Sequence, residues 1–316
     1  MASSLLPTNR ARREAHARGK RGTLRELSDI ATAYAFLLPA LGLLGLWFVY
    51  PIVDSLILSF QQVDEFHYSQ RHYVGLHNFL QLWHDPAFFH SLGVTLVFVL
   101  LVVPAQTLLA MAIAALLQRV GIAKALFRTA FFVPYITSTV AVTTVFMQLF
   151  VAGGPLSSLA AHLHLPDTTW YANVNLALPF LVIVYVYMYI GLYIVIFVNG
   201  IENIPESLYE AADMDGASAF QRFRYVTVPS LRPFVIFVVL AGFIQAIQVF
   251  DQAYVVAGGN VLGSPAGATA TLVIFIYQEA FRLNALGYGS AAAVVLLLMV
   301  FAGTLITRKL LPERSA

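Results

Sequence analysis

The sequence predicts an all-α membrane protein with six transmembrane helices, and three observations predict it. Apolar residues make up 59% of the 316 residues and charged residues 11%, a balance at which the bilayer is the main solvent. Six apolar runs lie near 31–59, 92–117, 129–152, 175–199, 233–253 and 287–307, close to the ~20 residues a helix needs to cross a hydrocarbon core of roughly 30 Å. Sixteen of the 18 Lys and Arg residues then fall on one side, which the positive-inside rule makes cytoplasmic.

Taken in order, Arg10, Arg12, Arg13, Arg18, Lys20, Arg21 and Arg25 make residues 1–30 a basic cytoplasmic segment. The apolar run that follows exceeds the h-region of a secretory signal, so the segment reads as retained, and Arg12-Arg13 reads as topology rather than as a twin-arginine address. The first run contains Pro39 and Pro51, which predict a kink or a short re-entrant portion. Runs such as Val94–Val103 and Ala291–Val300 are apolar on every side, unlike the alternating strands of a transmembrane barrel. Arg119, Lys124 and Arg128 follow the second run, Arg222, Arg224 and Arg232 the fourth, and Arg308, Lys309 and Arg314 the sixth; Arg71 and Arg282 are the exceptions. Residues 31–307 are thus expected to form one six-helix domain, with 308–316 a short tail and both termini cytoplasmic. The outer loops, 61–91, 154–174 and 254–286, carry no sign of a separate domain, and no internal repeat marks two halves of a secondary carrier.

Several chemistries are excluded. With no cysteine there is no disulfide, thiolate nucleophile or Cys-ligated metal. His162-Leu163-His164 and the group His67, His72, His77, His84 and His90 follow no zinc-ligand spacing, so no metal site is expected. Gly19-Lys20 is followed by Arg21 and lacks the upstream glycine of a P-loop; nucleophile-elbow and zinc-protease motifs are absent as well. The net charge of +2 reports orientation and predicts no nucleic-acid partner. Neither an enzyme nor a bound cofactor is expected.

The most ordered polar segment is Gly200–Arg232, between the fourth and fifth runs. Helical periodicity covers 204–212 and 217–226. Pro205 suits a first helical position, Glu206 complements the helix dipole, and Gly216 can take the left-handed conformation that ends one helix and starts the next. Pro229 and Pro233 are expected to stop the second helix or turn it into the membrane. So short a helix needs a surface to pack against. Ala211 and Ala212 permit close approach, and Glu210, Asp213 and Asp215 offer anionic anchors to a partner's Arg or Lys. Residues 204–216 hold four acids and no base, the wrong sign for an anionic leaflet, which favours docking on protein over lying on lipid.

A second pattern lies inside the bilayer. Tyr185, Tyr189 and Tyr193 recur at helical spacing in the fourth run, as do Gln245, Gln248 and Gln252 in the fifth, beside Asp251. Amides in hydrocarbon must face the bundle interior or a wet cavity. Aromatic faces beside amides suit a neutral polyhydroxylated ligand, although the same groups also serve as interhelical glue.

Tyr209-Glu210-Ala211-Ala212-Asp213 through Asp215-Gly216-Ala217-Ser218, with Gln221-Arg222-Phe223 and Val228-Pro229, resembles the EAA loop of importer permeases in the ATP-binding-cassette (ABC) superfamily, in their carbohydrate-uptake branch. Phe36-Leu37-Leu38-Pro39-Ala40, Tyr50-Pro51, Val74-Gly75-Leu76-His77-Asn78-Phe79, Asp85-Pro86-Ala87-Phe88, Phe127-Arg128, Val249-Phe250-Asp251 and Gly258-Gly259 are similar to that branch too. The resemblance implies a type I ABC importer permease fold, the first permease of a pair, embedded in membrane lipid. It implies four partner roles: a second EAA-bearing permease, an ATP-binding-cassette ATPase dimer that holds ATP and Mg, an extracytoplasmic sugar-binding protein, and a sugar substrate. Tyr209 to Gly216 would couple to the ATPase. In maltose-type members the matching path positions are Tyr189, Ile190, Tyr193, Gln245, Ala246 and Val249; only part of that set is polar here, which argues against maltose itself while favouring a neutral sugar, since no basic residue lines these runs. The alternative, an ion-gradient-driven secondary transporter, would need intramembrane acids, whereas Asp54 and Asp251 sit near the outer ends of their runs. A structural scaffold would need no polar stripe.

Overall fold

The computed structural model describes residues 32, 34–63, 71–118, 124–258 and 263–310. The basic segment over 1–30, His67, Arg119, Gly259 and Arg314 lie outside the described residues, and so does the orientation argument that rests on them.

Helix α1 (Tyr34–Leu58) is long and apolar enough to cross a membrane. Neither proline breaks it. A π-helical turn, Gly45–Val49, precedes Pro51, with Tyr50 N–H bonded to the Gly45 carbonyl; the widened turn accommodates a ring that cannot donate and would crowd the carbonyl four residues back. Met1–Ile57 forms one unit and Leu58–Ala316 a second.

The second unit opens with a two-residue hairpin in which β1 (Gln61–Gln62) pairs antiparallel with β2 (His72–Tyr73). Helix α2 (His77–His84) follows. Asn78 donates to the carbonyls of Ser59 and Gln61 at 2.9 and 3.0 Å, so the Val-Gly-Leu-x-Asn-Phe string is a loop anchor. Asp85 caps α3 (Pro86–Leu117) by accepting from Ala87 N, with Pro86 in the first turn, the position where a missing N–H costs nothing. Its other oxygen accepts from the Tyr288 hydroxyl at 2.7 Å.

Helix α3 packs along α7 (Ala177–Glu202), which also receives α4 (Lys124–Ile136); α10 (Arg232–Ile247) lies on α3, and α13 (Leu286–Leu310) on α10. One buried cluster joins Phe98, Val102, Phe180, Leu181, Val184 and Ile247, and a second joins Ala110, Ala114, Tyr193, Phe197, Val198 and Leu231.

Two runs differ from their expected shape. The third is not one straight span: Ala125–Ile136 and Thr139–Leu149, the latter α5, meet at 100°. Pro134 lies in the last turn of α4, the Thr137 hydroxyl bonds back to the Val133 carbonyl, and Ser138 leaves the helical region at ψ 125°, so hydroxyl residues compete with the backbone ladder where it is already weakened. The fifth run breaks at Gln248–Phe250 before α11 (Asp251–Val256). There the Val249 carbonyl accepts from the Thr271 hydroxyl at 3.0 Å. Between the broken third run and α7, helix α6 (Pro155–His162) is held by Asp167, which accepts from Gly153 N and the Ser157 hydroxyl at 3.0 and 2.8 Å; these two bonds lower the Asp167 carboxyl below its ordinary range. Helix α12 (Leu272–Tyr277) starts on Thr271 and runs into a π-helical turn, Gln278–Arg282, before α13.

Candidate functional site

Between α7 and α10 the chain forms α8 (Glu206–Met214) and α9 (Ala219–Arg222), the latter continuing through a π-helical turn, Phe223–Thr227, into Val228–Ser230. Pro205 stands one position earlier than expected, as the residue before α8, with ψ 130°. Gly216 has φ +70°; Gly216 N bonds to the Asp213 carbonyl and Ala217 N to the Ala212 carbonyl, both at 3.0 Å. That pair of bonds is a Schellman turn, whose left-handed residue glycine suits best. Ser218 then caps α9: its hydroxyl accepts from Gln221 N while Gln221 Oε1 accepts from Ser218 N. The Ser-x-x-Gln spacing signals this capping box in the sequence. Of the two outcomes expected at Pro229, the structure shows the second: the π turn ahead of it absorbs the lost hydrogen bond, and the chain turns at Leu231 into α10.

Within α8 the expected coupling residues divide by face. Tyr209 and Ala212 turn inward and are half-buried, whereas Glu210, Ala211 and Asp215 are exposed. The Tyr209 hydroxyl lies 2.9 Å from Thr227 Oγ1, and Thr227 is buried, its carbonyl accepting from Leu231 N at the foot of α10. Asp213 is not a free anchor: Arg222 grips both carboxylate oxygens at 2.6 and 2.9 Å. Sequence spacing did not reveal this pair, because Gly216 reverses the chain between its members. Met214, Phe220 and Tyr225 are 88%, 74% and 74% exposed, an apolar fringe around an acidic helix. Behind the loop, a cleft of about 950 Å³ runs between Ala112 and Leu116 of α3 and Ile201, Tyr209, Phe220 and Phe223. At the same end, Arg128 of α4 bonds to Asn199 and lies 3.9 Å from Glu202 on α7.

The polar residues inside the bundle form a tighter group than two stripes. Tyr193 is fully buried and donates to Gln245 Oε1 at 2.9 Å, tying α7 to α10. Tyr185 and Tyr189 pack ring to ring at 4.4 Å, and Tyr189 also meets Tyr135 of α4. The expected glutamine stripe is corrected by the break after Ile247. Gln248 is exposed at the helix end, Asp251 is exposed at the start of α11, and Gln252 is buried with Nε2 directed at Met188 Sδ, 3.6 Å away. Val249 is buried in the core cluster rather than facing open space. The structure therefore joins Tyr193 with Gln245 and packs Tyr185 against Tyr189, with Val249 buried in the same cluster as those two rings, while Gln248 and Asp251 stand exposed on either side of the helix break.

The sequence profile described as "Binding-protein-dependent transport system inner membrane component" matches residues 106–315. The chain is 30% identical to the arabinooligosaccharides transport system permease protein AraP of Bacillus subtilis (strain 168), over 90% of this chain and 89% of that one. It is likewise 30% identical to the lactose transport system permease protein LacF of Rhizobium radiobacter, over 89% of this chain and 93% of that one. In fold it is similar to a chain from the crystal structure of a bacterial ABC transporter involved in the import of the acidic polysaccharide alginate, with a TM-score of 0.72 at 17% identity over 91% of this chain and 98% of that one.

Proposed function

The chain belongs to the family of binding-protein-dependent transport system inner membrane components, and from that premise we propose that it forms half of the translocation path of an ATP-driven sugar importer and is moved by a separate ATPase through α8. It is a multi-pass membrane permease subunit, and ATP hydrolysis belongs to other subunits of such importers. A second permease would complete the path, an ATPase dimer would hold ATP and Mg, and an extracytoplasmic binding protein would deliver the sugar. Both termini and the α8–α9 loop would face the cytoplasm.

The observation that carries the coupling role is the Tyr209–Thr227 hydrogen bond. It ties an otherwise exposed helix to the foot of α10, and the same loop continues directly from α7. Displacement of α8 by a closing partner is thereby passed to both helices that hold the Tyr193–Gln245 pair, a rigid-body route between two states of the path. The exposed apolar side chains of Met214, Phe220 and Tyr225 suit burial in a partner's cleft, and Glu210 and Asp215 suit a partner's Arg or Lys. The names of the relatives AraP and LacF support an oligosaccharide as cargo; so do the Tyr185 and Tyr189 rings, packed against each other on the helix that carries Tyr193.

Proteoliposomes holding the chain with its second permease, the ATPase and the binding protein test the reading. Uptake of radiolabelled lactose or arabinotriose should require both ATP inside and binding protein outside. Uptake driven by a proton or sodium gradient without ATP would return the assignment to a secondary transporter.

A further inference from the structure

Gln106, on α3, carries no signal in the sequence pattern, yet among the described residues it is the side chain with two buried polar atoms that lack a hydrogen bond. It is fully buried, and neither its Nε2 nor its Oε1 makes a hydrogen bond. A buried amide left without partners destabilises the fold, and α3 could hold a leucine at that position without that penalty.

The surroundings say where the amide is aimed. Across from it on α10 stands Gly242, where a β-carbon would lie 2.1 Å from Gln106 Nε2 and 3.6 Å from the Tyr193 hydroxyl. The missing side chain of Gly242 is the gap that admits the carboxamide, and the gap opens on the Tyr193–Gln245 pair. Three hydrogen-bonding side chains from three helices, α3, α7 and α10, therefore converge on one place deep in the bundle. Two of them share one hydrogen bond. The third has both a donor and an acceptor to spare.

We propose that Gln106 is a solute-binding residue of the translocation path, whose carboxamide bonds to a hydroxyl of the passing sugar beside Tyr193 and Gln245, with Gly242 as the notch that lets it reach. This rests on the path reading given above. A carboxamide can donate to one hydroxyl oxygen and accept from another hydroxyl, so the residue selects for vicinal hydroxyls rather than for charge. The ligand then makes the bonds that the carboxamide does not make within the fold, and binds more tightly for meeting a group already held in place.

Equilibrium dialysis of radiolabelled lactose and arabinotriose against the purified complex of both permeases and the ATPase tests this, with wild type compared with Gln106→Leu and with the thermal midpoint of each complex measured alongside. The expected result is a Kd raised at least tenfold in the variant, with a midpoint equal to or above that of wild type, because an unpartnered amide has been removed. A Kd raised less than tenfold overturns the proposal. So does a lowered midpoint or a failure to assemble, since either means that the amide holds the resting structure together. Wild type that binds neither sugar overturns the sugar path itself, and this proposal with it; wild type that binds while the variant binds equally overturns the role of Gln106 alone.

Discussion

Replacing Gly216 should uncouple the loop in a graded way. At φ +70° no atom lies within 4 Å of where a β-carbon would stand, so the whole penalty is the backbone's own. A left-handed conformation costs an ordinary L-residue about 1–2 kcal/mol, more for a β-branched side chain and less for asparagine, which visits this region readily. A penalty of that size shifts the local equilibrium about 5- to 30-fold toward conformers that release the Gly216–Asp213 and Ala217–Ala212 bonds. The turn between α8 and α9 then loosens, and with it the geometry that lets Arg222 reach Asp213. The assay is sugar uptake per ATP hydrolysed in proteoliposomes, with hydrogen exchange over 206–217 reporting the turn. Coupling should fall in the order Gly, Asn, Ala, Val while the amount of assembled complex stays constant. Wild-type coupling in Gly216→Val, with unchanged exchange protection, would mean that the left-handed turn plays no part in coupling.

Three further outcomes are expected. Tyr193→Phe removes the donor to Gln245 Oε1; a hydrogen bond between membrane helices contributes only about 0.6 kcal/mol on average, so the thermal midpoint should barely move while sugar affinity, read by the same dialysis, falls. Asn78→Ala frees two loop carbonyls at once and should destabilise the outer hairpin by about 1–3 kcal/mol, seen as a lower midpoint in fluorescence-detected size exclusion. Glu279 borders an outer polar cavity of about 350 Å³ with Gln81 and Tyr288, and burial first, then the charge of Asp85, raises its carboxyl above the ordinary 4.5. The folded protein therefore holds this proton where the unfolded chain has released it, so the contribution is fully present below pH 4.5 and is lost as pH rises through the raised value. Glu279→Gln should flatten that part of the midpoint-against-pH curve; superimposable curves would contradict the assignment.

How much of this was legible in the sequence follows from which forces are local. The six apolar runs need only composition, and each appears as a helix or a bent helix pair. The α8–α9 turn was legible because a left-handed glycine and its flanking helical periodicity are local signals, and Asp85-Pro86 reads as a helix start for the same reason. The 100° bend at Thr137–Ser138 was not: hydropathy is blind to direction, and Pro134 with three hydroxyl residues in sequence marks a weak point without fixing an angle. The break after Ile247 was hidden because its cause, the Thr271 hydroxyl on the Val249 carbonyl, arrives from 22 residues away. Periodicity therefore places Gln248 in the glutamine stripe, whereas the break leaves it exposed and keeps Gln252 buried. Gln106 and Gly242 carry meaning only as a pair across two helices, which no one-dimensional pattern can show.

Coupling requires α8 to seat in a nucleotide-hydrolysing neighbour. Because the chain has no cysteine and Ala211 is exposed, a single Ala211→Cys variant can carry a photoactivated cross-linker in intact membranes without any other change. The expected result is one dominant product that contains the ATPase subunit and that shifts in yield when ATP is bound. A cross-link confined to lipid, or to the permeases alone, would contradict it.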